Sequence, residues 1–149
     1  MIDDPLLIHD WHPVARSDAL PEGGVLAVRL LGEDLVLWRR SGRGYAWQDL
    51  CVHRGSRLSL GSVAGDCLRC PYHGWEYAED GRCARIPAHP DQTPPAKARV
   101  VTYQARERYG LIWASLGAPA HDIPPFPEAG KPEYSVAVCG PYPHLRAHG

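Results

Sequence analysis

Short runs of apolar and β-branched residues, each broken by glycine or acidic residues, run through the first half of the chain. Residues 24–31 (Gly-Val-Leu-Ala-Val-Arg-Leu-Leu) and 35–39 (Leu-Val-Leu-Trp-Arg) flank Gly32-Glu33-Asp34, a pattern that predicts a β-hairpin. Residues 45–50 (Tyr-Ala-Trp-Gln-Asp-Leu) form a third run, and 99–103 and 109–114 a later pair. No segment keeps a 3.6-residue apolar period across three turns, and no internal repeat is present. The expectation is an all-β fold of small antiparallel sheets.

Near Gly117 the pattern stops. Prolines at 119, 124, 125, 127, 132, 141 and 143 cannot donate to a β-ladder and favour extended chain. This places a domain over residues 1–117 and a Pro-rich linker or tail over 118–149. The 149 residues amount to one domain, enough to bury about two-thirds of the extended surface. A formal charge of −1 argues against a nucleic acid or an anionic membrane as partner. Arg39, Arg40 and Arg43 read as a solvated basic cluster beside a turn, and Gly42-x-Gly44 lacks the third glycine and following helix of a dinucleotide site. No run of about twenty apolar residues occurs, and the N-terminus is acidic where a signal peptide is basic. The expected location is the cytoplasm, where thiols stay reduced and serve as ligands.

The chemistry resides in two short motifs, Cys51-x-His53 and Cys70-x-x-His73, separated by sixteen residues. Each offers one thiolate and one imidazole. A [2Fe–2S] centre with two Cys on one iron and two His on the other draws this donor set from two loops. Two Cys and two His also suit a closed structural zinc site, but zinc modules keep like with like, and the interleaved order fits that template poorly. Gly55 and Gly74 follow the histidines closely; lacking Cβ, they would let backbone N–H groups approach the sulfides. Cys67 reads as a small buried strand residue rather than half of a redox pair with Cys70.

The neighbours of these motifs carry a resemblance. Cys51-Val52-His53-Arg54-Gly55, Leu58, Gly61 and the run 65–77 (Gly-Asp-Cys-Leu-Arg-Cys-Pro-Tyr-His-Gly-Trp-Glu-Tyr) are similar to the N-terminal Rieske domain of aromatic ring-hydroxylating oxygenase α subunits. Asp80-Gly81-Arg82, Ile86-Pro87, Trp11-His12-Pro13-Val14-Ala15 and residues 107–113 extend the match over about residues 10 to 140. The resemblance implies a Rieske-like fold, with the ligand loops inserted as a cluster-binding subdomain. It implies one [2Fe–2S] cluster per chain, with Cys51 and Cys70 on one iron and His53 and His73 on the other. It also implies a flavin reductase or ferredoxin as electron donor and an oxygenase catalytic domain as acceptor.

Respiratory Rieske proteins carry an additional Cys in each loop and a serine that donates to a sulfide; here Ser56, Tyr72 and Trp75 stand at those places. Fewer hydrogen bonds to sulfur predict a potential at the lower end of the Rieske range. Arg54 and Trp75 are candidates for shielding or docking at the cluster edge. In the family the oxygenase chemistry occurs in a second domain, on a mononuclear iron held by two His and a carboxylate. This sequence ends before such a domain. His144 and His148 lack a following acid, and His9, His12, His89 and His121 read as surface or packing residues. Two functions are therefore expected: the electron-transfer portion of a ring-hydroxylating oxygenase, or a standalone carrier of the Rieske ferredoxin type that is not itself an enzyme.

Overall fold

A computed structural model describes residues 2–140. His144 and His148, and the prolines at 141 and 143, lie outside the described residues. Ten strands form two antiparallel sheets. The larger takes β1 (His12–Arg16), β2 (Val25–Leu30), β3 (Glu33–Arg40), β4 (Arg43–Gln48), β9 (Thr102–Arg108) and β10 (Leu111–Ser115), in the order β1-β10-β9-β4-β3-β2. The smaller takes β5 (Ser62–Ala64), β6 (Cys67–Arg69), β7 (Glu76–Tyr77) and β8 (Cys83–Arg85) in sequence order. Among the described residues, helix is confined to one turn, Pro5–Ile8, capped by the Asp4 carboxylate, and two 3-10 turns.

The predicted hairpin is present, but its turn is Leu31-Gly32, with Glu33 already paired to Leu30. Leu31 (φ 52°) and Gly32 (φ 83°) are both left-handed, the two-residue turn whose twist matches the flanking strands. Ser41-Gly42 and Tyr109-Gly110 close the β3–β4 and β9–β10 hairpins in the same conformation. Gly42-x-Gly44 is therefore a hairpin turn. The later pair begins further along than the apolar run 99–103 suggests. Val100 N–H donates to Gly81 O across the chain and Arg99 bridges Arg82, so 99–100 serves the smaller sheet unit, while Val101 O accepts from Gln48 of β4 and β9 starts at Thr102.

Strand alternation in β3 builds two cores. Leu35 and Leu37 point into one with Leu20, Leu30 and Ile112. Val36 and Trp38 point into the other with Tyr45 and Trp47 of β4, and with Leu58, Leu68 and Tyr77 of the inserted unit. β3 thus buries both faces, and the second of the two cores joins the sheets. The insertion, residues 49–101, leaves at the end of β4 and returns at the start of β9. Those strands pair directly, Trp47 opposite Thr102, so the inserted unit springs from one narrow base.

Of the three arginines read as a solvated cluster, Arg43 is exposed, but Arg39 and Arg40 are structural pins. Arg39 forms a bidentate pair with Glu107 of β9. Arg40 reaches Asp66 and Glu79 on the inserted unit, and Arg43 lies over the Tyr45 ring at 5.0 Å. The start of the proline-containing stretch packs on the larger sheet: Trp11 Nε1–H donates to His121 O (2.9 Å), Asp122 meets Arg106 (2.7 Å), and Ile123 is buried. Among the described residues, no helix is long and apolar enough to cross a membrane.

Candidate metal centre

Both Cys-His motifs sit on loops of the inserted unit. The first loop follows β4 directly; the second connects β6 to β7. Their backbones are closed alike. Cys51 N–H donates to Ser56 O and Cys70 N–H to Trp75 O, each at 2.8 Å. Gly55 N–H donates to Cys51 O and Gly74 N–H to Cys70 O. These two glycine amides are thus engaged on cysteine carbonyls. What the positions require is left-handed backbone: Gly74 has φ 71°, with Pro87 3.3 Å from where a Cβ would stand, and that region strains other residues. Ile86-Pro87 therefore covers the second loop from outside.

The structure gathers the four predicted residues as two pairs, the thiols facing each other inside and the imidazoles facing each other at the surface. Cys51 and Cys70 are each 2% exposed and belong to the core between the sheets. His53 is half-buried and His73 exposed. The two rings face each other through Nδ1, 3.1 Å apart. Two nitrogens bound at about 2.1 Å to one tetrahedral metal would be separated by about 3.4 Å, so the pair is close to a common-metal geometry. Among the described residues, no three or more His, Cys, Asp or Glu gather around a single metal position. A closed zinc site needs that convergence; a binuclear cluster splits its donors into a thiolate pair and an imidazole pair. The donor set fits the second.

The surroundings suit these roles. Tyr77, fully buried, places its hydroxyl 3.2 Å from Cys51 Sγ, where it can donate to a thiolate; burial, then Cys51, pushes its own ionisation far up. Burial raises the Cys70 thiol, while the backbone N–H of Tyr72 opposes this and the facing Cys51 adds to it. Desolvation, then His73 and Arg54, hold His53 below the ordinary imidazole value, favouring the neutral ring that binds metal. Trp75 lies against His53 and Tyr72 against His73. Arg54 is exposed. Tyr77 was legible only as part of the motif; its contact with Cys51 depends on the β6–β7–β8 pairing that places it beneath the first loop.

Cys67 is half-buried on β6 rather than fully buried, and Cys83 is buried on β8. Of the remaining histidines, His9 Nδ1 accepts from Ala118 N–H (2.9 Å) and His12 Nε2 meets Leu7 O (2.7 Å). Both are packing residues, as expected.

Residues 10–104 match the family model described as "Rieske [2Fe-2S] domain". The chain is 41% identical over 143 residues to methylxanthine N1-demethylase NdmA of Pseudomonas putida, covering 91% of this chain and 41% of that protein. It is 46% identical over 114 residues to oxidoreductase NdmD of the same organism, covering 75% of this chain and 19% of that one. A solved structure of Pseudomonas putida CBB5 NdmA superposes with a TM-score of 0.78 at 42% identity, over 85% of this chain and 40% of that one. The chain therefore spans well under half the length of these relatives.

Proposed function

The chain belongs to the Rieske [2Fe–2S] domain family, and on that premise we propose that Cys51 and Cys70 hold one iron of its [2Fe–2S] cluster and His53 and His73 the other. The observation that carries this assignment is the convergence of two imidazole Nδ1 atoms, 3.1 Å apart, above two buried thiols. When bound, such a cluster supplies a one-electron couple. Cys51 and Cys70 hold their end within the core, away from water. His53 and His73 hold the other end at the surface, so their outer ring edges form the route by which an electron leaves. Tyr77 donates to Cys51 Sγ, and the Tyr72 backbone N–H to Cys70 Sγ, offsetting negative charge on sulfur.

The electron passes from a flavin reductase, directly or through a ferredoxin, by way of this domain to the mononuclear iron of a ring-hydroxylating oxygenase. On this reading residues 1–117 are the electron-transfer domain and 118–149 a Pro-rich linker. Similarity to NdmA over 91% of the chain, well past residue 104, supports this lineage. A second reading, an electron-transfer module outside an oxygenase, draws on the 46% identity with a segment of oxidoreductase NdmD. On either reading the described residues carry electrons and do not themselves oxygenate a substrate.

Iron and acid-labile sulfide quantitation, with low-temperature EPR of the reduced protein, tests the assignment. Two irons and two sulfides per chain are expected. Cys70→Ser and His73→Ala lose the visible absorption, whereas Cys67→Ser and Cys83→Ser keep it. One zinc without sulfide, or loss of the cluster only in the Cys67 and Cys83 variants, would overturn the assignment.

A further inference from the structure

Among the described residues, two charged side chains are buried, Asp49 at 5% exposure and Glu76 at 9%. Both stand at the bases of the ligand loops, Asp49 two residues before Cys51 and Glu76 three after His73. Burying a charge costs several kcal/mol, on the order of the stability of a whole small domain. Two such residues at matching positions call for a reason beyond packing.

The two are held alike. Asp49 accepts from Ser59 N–H at 2.7 Å and Ser59 Oγ–H at 2.6 Å, tying together the two ends of the segment that carries Cys51 and His53. Glu76 accepts from Nε (3.1 Å) and Nη2 (2.8 Å) of Arg69, its cross-strand partner, closing the base of the segment that carries Cys70 and His73. Each also has an arginine on its outer side. Arg57 lies 3.7 Å from Asp49 with its side chain 54% exposed, and Arg69 is 47% exposed. Water screens an exposed cation far more than a buried anion. Burial, then Glu76, raises the Cys67 thiol on the strand that leads into the second loop.

We propose that Asp49 and Glu76 are paired positioning residues that close the two ligand loops and whose buried negative charge disfavours uptake of the electron, holding the centre's potential low. The proposal rests on Cys51, His53, Cys70 and His73 being the ligands. It adds to the missing disulfide and serine a cause that is present in the fold: extra negative charge on the reduced centre is placed beside two fixed anions.

The test is a redox titration of the cluster-loaded full chain, followed by EPR, for wild type, Asp49→Asn, Glu76→Gln, the double variant and Ser59→Ala. The expected result is an upward shift of midpoint potential in each carboxylate variant and a larger one in the double variant. Ser59→Ala loosens the first loop but keeps the charge, so its cluster is lost faster on dilution with no upward shift. Unshifted potentials in Asp49→Asn and Glu76→Gln overturn the proposal, as does an equal rise in Ser59→Ala. Should Asp49→Asn fail to hold the cluster, Glu76→Gln decides at the other loop. A wild-type chain that binds no [2Fe–2S] cluster overturns the ligand assignment itself, which separates that failure from this one.

Discussion

The indole of Trp75 lies flat on the imidazole of His53, ring centroids 4.2 Å apart and planes 8° from parallel. Trp75 comes from the second ligand loop and His53 from the first, so the stack locks the loops to each other and covers one face of a histidine that would otherwise meet water. Replacing Trp75 with Ala should remove about 1 kcal/mol of aromatic contact and hydrate the ring. Decay of visible absorbance in air should be several-fold faster than in wild type, with Trp75→Phe in between. A decay rate unchanged in Trp75→Ala would show that the stack does not protect the centre.

Tyr77→Phe keeps the buried ring and removes only the hydroxyl beside Cys51 Sγ. A lost donor to a ligand sulfur destabilises the more negative reduced state. The midpoint potential should therefore fall, opposite in sign to the carboxylate variants, while the melting temperature moves by no more than a few degrees. Potentiometry on the two proteins measures both the direction and the size of the change.

Gly61 shows why the motif needs a glycine between its two halves. A Cβ there would stand 2.0 Å from Arg69 O and 3.0 Å from Leu58 O; the first belongs to the β5–β6 pair and the second to the 3-10 turn before it. Gly61→Ala should cost more than about 2 kcal/mol and impair cluster retention, because Arg69 adjoins Cys70. Gly65→Ala meets nothing within 4 Å but keeps a φ of 55°, and should cost only about 1 kcal/mol. Denaturant unfolding of the two variants compares them directly.

Acid should weaken the larger sheet through Glu107. Its carboxyl lies below the ordinary 4.5, chiefly because Arg39 donates to it, with burial opposing and Ser17 assisting. A carboxyl lowered in the folded state contributes stability that is fully present above its unfolded value and is lost as pH falls through the folded one. Glu107→Gln should therefore cost about 1 kcal/mol near neutral pH, roughly 3 °C in melting temperature. As pH falls below the lowered folded value the variant and wild type should converge. A constant gap across that range would show that the pair contributes through packing alone.

The places where sequence reading fell short share a physical cause. Arg39 and Arg40 look like part of a solvated basic patch because their partners, Glu107, Asp66 and Glu79, lie far away in sequence and arrive only when β9 and the inserted unit fold back. Residues 99–101 look like a strand because Val100 and Val101 have strand character. Their hydrogen bonds go instead to Gly81 and Gln48 on either side of the insertion's base. Each is a matter of long-range pairing, which local pattern does not encode.

What the sequence determined by itself is the chemistry and its spacing. Two interleaved Cys-His pairs, the strand runs and the hairpin turns identify a β-rich domain with an iron–sulfur donor set, because donor identity and strand period are local properties of the chain. The tertiary structure decided how that donor set is held. Pairing of β4 with β9 gathers the ends of a long insertion, and antiparallel ladders bring Tyr77 under Cys51, Trp75 onto His53, and Asp49 and Glu76 to the loop bases. These contacts join residues that no spacing rule links, and they arise because one core buries the thiols while leaving the imidazoles at the surface.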